Sequence, residues 1–105
     1  MPRIAQGAVP SPNIWNHPQI YEVENRAVDP DGVIEAVLQA ARPWAGATIL
    51  DIGCGTGFHL PRFGTSAAQV IGVEPHLDLV RWARLRCRGM PTVSIEQGSA
   101  QLLPI

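Results

Sequence analysis

The stretch Thr48-Ile49-Leu50-Asp51-Ile52-Gly53-Cys54-Gly55-Thr56-Gly57 decides the fold. Its first half is short, apolar and rich in residues that favour strands, which predicts a buried β-strand. Three alternating glycines follow this strand directly. Glycine adopts the positive φ angles of a sharp strand-to-helix turn, and its missing Cβ lets a ligand lie against the backbone. We therefore interpret residues 53–57 as a ligand-binding loop rather than as a simple tight turn.

Helical and strand patterns alternate on both sides of this stretch. Apolar spacing predicts a core-facing helix over residues 31–41, capped by Asp29 or Asp31. After the loop we predict a helix over 58–63, a strand over 70–74, a helix over 77–88 and a strand over 92–96. Strands joined by helical crossovers are parallel and buried on both faces. The predicted fold class is therefore α/β, with a three-layer parallel sheet.

The first 28 residues differ from the rest because they are polar and punctuated by proline. Prolines at positions 2, 10, 12 and 18 argue against regular structure up to about residue 18. We therefore divide the chain into an N-terminal extension, residues 1–28, and a sheet domain, residues 29–105. Trp15, Tyr21 and Asn25 are candidates for a lid over a bound ligand, with ordinary packing as the equal alternative.

Composition and charge exclude several classes of protein. Apolar residues make up 46% and charged residues 16% of the chain, which indicates a globular protein. The formal net charge of −1 gives no signature of nucleic-acid binding, and no stretch has the ~18 apolar residues of a membrane span. Four arginines share one segment, which we interpret as a solvated helix face: Arg81, Arg84, Arg86 and Arg88.

The two cysteines, Cys54 and Cys87, are too few and too far apart for a metal site of the paired-cysteine type. We interpret both as reduced thiols, and the chain carries no signal-peptide pattern at its start. We therefore expect a cytoplasmic protein without a metal site.

Three features fall where an open parallel sheet binds its ligands, beyond the carboxyl ends of the strands. They are the glycine loop, Glu74 at the end of the second strand, and Gly98-Ser99-Ala100 after the third. Glu74 follows Gly53 by 21 positions, which suits a carboxylate that accepts hydrogen bonds from both hydroxyls of a ribose. The topology thus predicts a nucleoside site.

The loop also discriminates between nucleoside ligands. A dinucleotide fingerprint reads G-x-G-x-x-G, but here Phe58 takes the place of the third glycine and Gly57 comes one position early. Asp51 ahead of the loop is poorly placed for a pyrophosphate and well placed for a cation. A phosphate loop of the Walker type needs a lysine, and the chain has none. An adenosine joined to an amino acid through a sulfonium meets these requirements.

The segment from Ile49 to Gly57 resembles motif I of class I S-adenosylmethionine-dependent methyltransferases. Residues 70–75 resemble their motif II, and residues 95–104 resemble the segment after their third strand. The resemblance implies a Rossmann-like sheet, of which this chain holds about three of seven strands, and S-adenosylmethionine as cofactor. It implies cofactor contacts at the following residues: Asp51 to the methionine amino group, Gly53, Cys54, Gly55 and Gly57 along the methionine and ribose, Glu74 to the ribose hydroxyls, Pro75 and His76 beside the adenine, and Ser99 and Ala100 at the adenine edge.

We therefore expect a methyltransferase that acts on a small-molecule acceptor, with the catalytic residues unknown. The chain reads as the cofactor-binding half of the domain, with weak or no turnover alone. One alternative is a non-catalytic binding or interaction module, completed by self-association or by a partner chain at the uncovered edge of the first strand. The other is an NAD-dependent oxidoreductase, which Phe58 and Asp51 disfavour.

Overall fold

The computed structural model describes residues 2–105. Strands β1 (Thr48–Ile52), β2 (Gln69–Glu74) and β3 (Val93–Gln97) form a parallel sheet in the order β1-β2-β3. The helices of the described chain are α1 (Pro12–Asn16), α2 (Pro18–Val28), α3 (Val33–Ala41), α4 (Leu60–Gly64) and α5 (Leu77–Arg86). The predicted α/β class and the three parallel strands are confirmed; β1 has its predicted bounds, and the bounds of β2 and β3 differ by at most one residue.

Helices α4 and α5 pack on one face of the sheet and form the core with it. The buried cluster consists of Leu60, Ala67, Val70, Val80, Ala83, Cys87 and Ile95. Gly72 in the middle of β2 lets the glycine loop approach the strand, because a Cβ built there would lie 2.9 Å from Cys54 Sγ. The core therefore holds the loop directly against the central strand.

The opposite face of β1 is not covered. Leu50 and Ile52 point away from the core and are 38% and 46% exposed. Burial on both faces was predicted for every strand; it holds for most of β2, but not for β1 or for β3, whose Ser94 and Glu96 are exposed. The physical reason is that α4 and α5 both pack on the same side of the sheet.

The N-terminal extension is helical over residues 12–16 and 18–28, which corrects in part the prediction of irregular structure up to about residue 18. Pro12 and Pro18 occupy the first positions of α1 and α2. A proline at that position costs the helix nothing, because the N–H it lacks would have no partner there. The two prolines thus start helices in this chain.

Helix α3 departs from its prediction in its start and in its exposed face. It begins at Val33, and Asp29 caps it from a distance by accepting hydrogen bonds from the backbone N–H groups of Ile34 (3.1 Å) and Glu35 (3.0 Å). The apolar stripe that was predicted to face the core is exposed instead, at Val33, Ile34, Val37 and Leu38. The reason is that no other element of the described chain covers this stripe; the contact of α3 with α4 includes the ion pair between Glu35 and Arg62 (3.1 Å). Among residues 2–105, no helix is long and apolar enough to cross a membrane.

Candidate functional site

A cavity of about 280 Å³ lies at the carboxyl ends of the three strands. All three features that were predicted to converge contribute to its wall. The N-terminal segment of residues 2–16, called the strap below, supplies the remaining wall. The residues that line the cavity include Gly53, Glu74, Pro75, Ser99, Ala100 and, from the strap, Ile14 and Trp15.

Glu74 is the central polar group of this cavity and is 4% exposed. One carboxylate oxygen accepts a hydrogen bond from the N–H of Gly55 (3.0 Å), and the other accepts one from the N–H of His76 (2.9 Å). Burial raises the pKa of Glu74, while these two N–H groups and the Trp15 side chain act in the opposite direction. A carboxylate has about four acceptor positions, so Glu74 retains the capacity to accept from ligand hydroxyls.

The glycine loop is fixed to β2, because the N–H groups of Gly53 (2.7 Å) and Cys54 (3.0 Å) both donate to the Val73 carbonyl. Gly53, Gly55 and Gly57 all have positive φ angles (80°, 58° and 75°). Their surroundings differ. A Cβ on Gly53 would meet nothing within 4 Å, whereas a Cβ on Gly57 would lie 2.8 Å from Ala83 Cβ. Gly53 therefore faces the cavity, and Gly57 lets α5 pack against the loop.

Asp51 and Cys54 do not line the cavity. Asp51 is half-buried at the end of β1, where burial raises its pKa and the nearby His59 partly offsets the effect. The Cys54 side chain is turned towards Gly72, and burial raises the pKa of its thiol, so it stays protonated at neutral pH. Gly55 and Gly57 are buried beneath the cavity rather than in its wall.

The predicted adenine-side residues are partly occupied by contacts within the chain. His76 is buried, its Nδ1 accepts from the N–H of Asp78 (3.2 Å), and its ring lies edge-on to Trp15 with centroids 5.3 Å apart. Ser99 lines the cavity, but its hydroxyl donates to the Gln6 carbonyl (3.0 Å). Ala100 is exposed in the same wall.

The strap is held to the sheet by backbone hydrogen bonds. The N–H of Ala5 donates to the Pro75 carbonyl (2.8 Å), and the N–H of Leu77 donates to the Arg3 carbonyl (2.8 Å). Of the three lid candidates, Trp15 lines the cavity, whereas Tyr21 and Asn25 do not. The strap therefore covers the predicted ligand site from one side.

Sequence reasoning missed a polar cluster under the glycine loop, formed by Glu22, Thr56 and Arg86. The solvated face predicted for the four arginines is therefore wrong for Arg86, whereas Arg84 is exposed and donates to the Ile95 carbonyl (2.8 Å). A signal for Arg86 was present, because it follows the inward-facing Ala83 by three positions and so lies near the same helix face. No comparable signal marks Glu22 within its polar segment.

Comparison with known proteins gives a family match over the part of the chain that contains the three strands and the glycine loop. The family described as "Methyltransferase domain" matches residues 49–105, which is more than half of the chain. Among curated relatives, the tRNA U34 carboxymethyltransferase of Marinobacter nauticus is 44% identical over 62 residues, covering 58% of this chain and 17% of the relative. The 23S rRNA (uracil(1939)-C(5))-methyltransferase RlmD of Hahella chejuensis is 37% identical over 89 residues, covering 82% of this chain and 20% of the relative. The chain thus spans about a fifth of the length of these relatives.

The fold is also similar to that of solved methyltransferases. The structure of CalS10 from Micromonospora echinaspora, an amino pentose methyltransferase with S-adenosylmethionine bound, aligns with a TM-score of 0.62 and 33% identity. The alignment covers 82% of this chain and 37% of that chain. It confirms the predicted Rossmann-like class and agrees with S-adenosylmethionine as the cofactor of the family.

The relatives overturn one prediction. A small-molecule substrate without a nucleic-acid partner was expected, but that prediction is wrong, because the curated relatives include tRNA U34 carboxymethyltransferases and a 23S rRNA methyltransferase. The net charge of −1 was the basis of the prediction, and it describes the charge of this chain rather than the acceptor of its family. The family match, the shared fold and the glycine loop at the strand ends together show that this chain belongs to the class I S-adenosylmethionine-dependent methyltransferase family.

Proposed function

We propose that this chain binds S-adenosylmethionine in the cavity at the strand ends and provides the methyl-donor site of a methyltransferase. The observation that carries the proposal is the placement of Glu74. Its buried carboxylate stands at the end of the central strand, holds the glycine loop through Gly55 and borders the cavity. A carboxylate in that position accepts from the two hydroxyls of a ribose.

The proposed cofactor contacts follow the family motif. Gly53 offers backbone without a side chain in the cavity wall, so the methionine portion fits against it. We assign the ribose to Glu74 and the adenine to the wall formed by Pro75, Ser99 and Ala100. The methionine amino group is assigned to Asp51 by the family motif alone, because Asp51 lies outside the cavity wall. Cys54, Gly55 and Gly57 shape the loop from below, and His76 supports the adenine wall from behind.

When bound, S-adenosylmethionine supplies an electrophilic methyl group on its sulfonium. The contribution of the chain is to bind and orient this donor, because methyl transfer is an in-line displacement that depends on the alignment of donor and acceptor. The proposal concerns the donor, since the similar proteins include enzymes named for tRNA, for rRNA and for an amino pentose.

We propose further that residues 1–28 are an extension whose strap acts as a lid over residues 29–105. A ligand pocket usually measures about 300–1,000 Å³, and this cavity, at about 280 Å³, lies at the lower limit. The strap also uses the Ser99 hydroxyl. Displacement of the strap would enlarge the cavity and release that hydroxyl. The cytoplasmic location stays a prediction, with which the free cysteines Cys54 and Cys87 are compatible.

Isothermal titration calorimetry with S-adenosylhomocysteine and with NAD tests the donor proposal. We expect binding of S-adenosylhomocysteine alone. The Glu74→Ala variant should weaken that binding at least about tenfold, because hydrogen bonds to a charged group contribute about 1.5–3 kcal/mol each. Glu96→Ala is the matched control, since Glu96 is an exposed carboxylate on β3. Binding of NAD without binding of S-adenosylhomocysteine would support an oxidoreductase and refute the proposal.

A further inference from the structure

Helix α2 is attached to the protein in an unusual way, because its one buried residue is the acidic Glu22. The Glu22 side chain is 11% exposed and pairs with the Arg86 side chain, which is 22% exposed. A buried carboxylate costs free energy unless it is paired and hydrogen-bonded. The position of α2 is therefore linked to the partners that Glu22 finds at the end of α5.

The partners of Glu22 lie both on α5 and in the glycine loop. The guanidinium of Arg86 donates hydrogen bonds to both carboxylate oxygens of Glu22, with N···O distances of 2.9 and 2.6 Å. The same Nη1 donates to the carbonyl of Thr56 (3.0 Å) and to its hydroxyl oxygen (3.2 Å). The Thr56 hydroxyl in turn donates to Glu22. One cation thus joins α2, α5 and the loop.

Thr56 needs such a partner because of its neighbours. It lies between Gly55 and Gly57, both of which have positive φ angles. Glycine has little intrinsic preference among backbone conformations, so the flanking residues alone do not fix the orientation of the Thr56 carbonyl. On the other side, the N–H of Gly55 is held by Glu74. The loop is therefore held on two sides, at the Gly55 N–H by Glu74 and at the Thr56 carbonyl by Arg86 of the Glu22–Arg86 pair.

We propose that Glu22 and Arg86 are positioning residues that hold residues 55–57 in the geometry that the cofactor requires. The inference rests on the proposed function, and it adds a requirement that α2 be in place before the donor site is ordered. A planar guanidinium fork satisfies the carboxylate and the loop carbonyl together, whereas the compact ammonium of lysine does not reproduce that fork. Arg86→Lys therefore keeps the charge and removes the positioning.

The test combines calorimetry with backbone NMR on the full chain. In Arg86→Lys we expect the dissociation constant for S-adenosylhomocysteine to rise about tenfold. We also expect the amides of residues 55–57 to broaden through motion on the microsecond-to-millisecond timescale, while those of β2 stay sharp. Arg84→Lys is the matched control, because Arg84 is on the same helix and contacts the Ile95 carbonyl rather than the loop. A purely structural ion pair would lower the melting temperature without selective broadening of the loop.

Each outcome decides the inference. Unchanged affinity and sharp loop amides in Arg86→Lys overturn it, as does equal weakening by Arg84→Lys. If Arg86→Lys does not fold, the order parameters of the unaltered chain decide, with values near 0.85 at residues 55–57 expected and values below about 0.6 overturning it. If the unaltered chain does not bind S-adenosylhomocysteine, the proposed function fails, and the NMR result still judges the positioning on its own.

Discussion

Replacement of Gly57 by alanine should destabilise the fold more than the same replacement at Gly53, although both glycines have similar positive φ angles (75° and 80°). The difference comes from what lies beside each residue. At Gly57 a Cβ would be 2.8 Å from Ala83 Cβ, 3.1 Å from Ala83 Cα and 3.2 Å from Leu60 Cδ1. At Gly53 it would meet no atom within 4 Å.

The magnitude follows from two separate costs. A non-glycine residue in the left-handed region costs about 1–2 kcal/mol, and the lower entropy of the unfolded chain returns about 0.4–1 kcal/mol. Gly53→Ala carries only this net cost, on the order of 1 kcal/mol. Gly57→Ala adds the strain of overpacking a close contact, about 1–3 kcal/mol. We therefore expect Gly57→Ala to be the less stable variant by about 1–3 kcal/mol.

Urea unfolding monitored by circular dichroism measures this difference, with similar m-values required for the comparison. The second substitution Ala83→Gly removes the atom nearest to the added Cβ. In the Gly57→Ala background it should therefore cost less than the roughly 1 kcal/mol that glycine costs in a helix, or should even stabilise the protein. Equal destabilisation by Gly53→Ala and Gly57→Ala, together with simple additivity of the Ala83→Gly change, would refute the close contact between loop and helix.

Two further predictions concern the strap and the dependence of stability on pH. A variant that keeps Trp15 as its only tryptophan should shift its fluorescence emission on addition of S-adenosylhomocysteine, because Trp15 lines the cavity. A variant that keeps only Trp82 is the control and should not respond. An unchanged emission from Trp15 would contradict the proposed lid. Burial raises the pKa of Glu22, but hydrogen bonds from Arg86 and Thr56 and the charges of Arg86 and Arg26 outweigh it and hold the pKa below its ordinary value of 4.5. The unfolded chain then binds the proton more tightly, so this stabilisation is present above pH 4.5 and is lost as the pH falls through the folded-state pKa. In urea unfolding at a series of pH values, Glu22→Gln should therefore lose less stability than the unaltered chain as the pH falls below 4.5. Part of the acid loss should remain, because the pKa of Asp29 is also lowered, mainly by its hydrogen bond from the Glu35 backbone. An equally steep loss of stability in both proteins would argue against the Glu22–Arg86 pair.

The fold could be predicted from the sequence where local pattern and long-range packing agree. The strand ending in Glu74 is a short apolar run that the sheet buries, so pattern and structure coincide there; the strand before the glycine loop pairs with it as expected, although one of its faces is exposed. Helix α3 shows the limit, because its apolar spacing is clear while Val33 and Val37 are 65% and 64% exposed. Periodicity identifies which side of a helix is apolar, but it does not say whether another element covers that side.

The position of the candidate site was predictable from the sheet topology, but the sequence did not predict all the residues that form it. Parallel strands bring their carboxyl ends to one edge, so the loop, Glu74 and Ser99 meet whatever the details of packing. The Glu22–Arg86 pair joins residues 64 positions apart, and the strap depends on similarly distant contacts, such as that of Gln6 with Ser99, 93 positions apart. Such contacts leave no periodic trace in the sequence, because each is a single polar match rather than a repeated pattern.

These non-local contacts bear on how a ligand enters. The strap closes the cavity through Trp15 and engages Ser99, while α2, which follows α1 after His17, is held under the loop by Glu22. If the strap opens as proposed, the loop loses the contact of Gly55 with Ile14 but keeps its anchor at Glu22, because Glu22 lies beyond the strap. The proposed lid would then open next to a loop that Glu22 and Arg86 still hold, so less of the cost of ordering the loop would be deducted from the binding free energy.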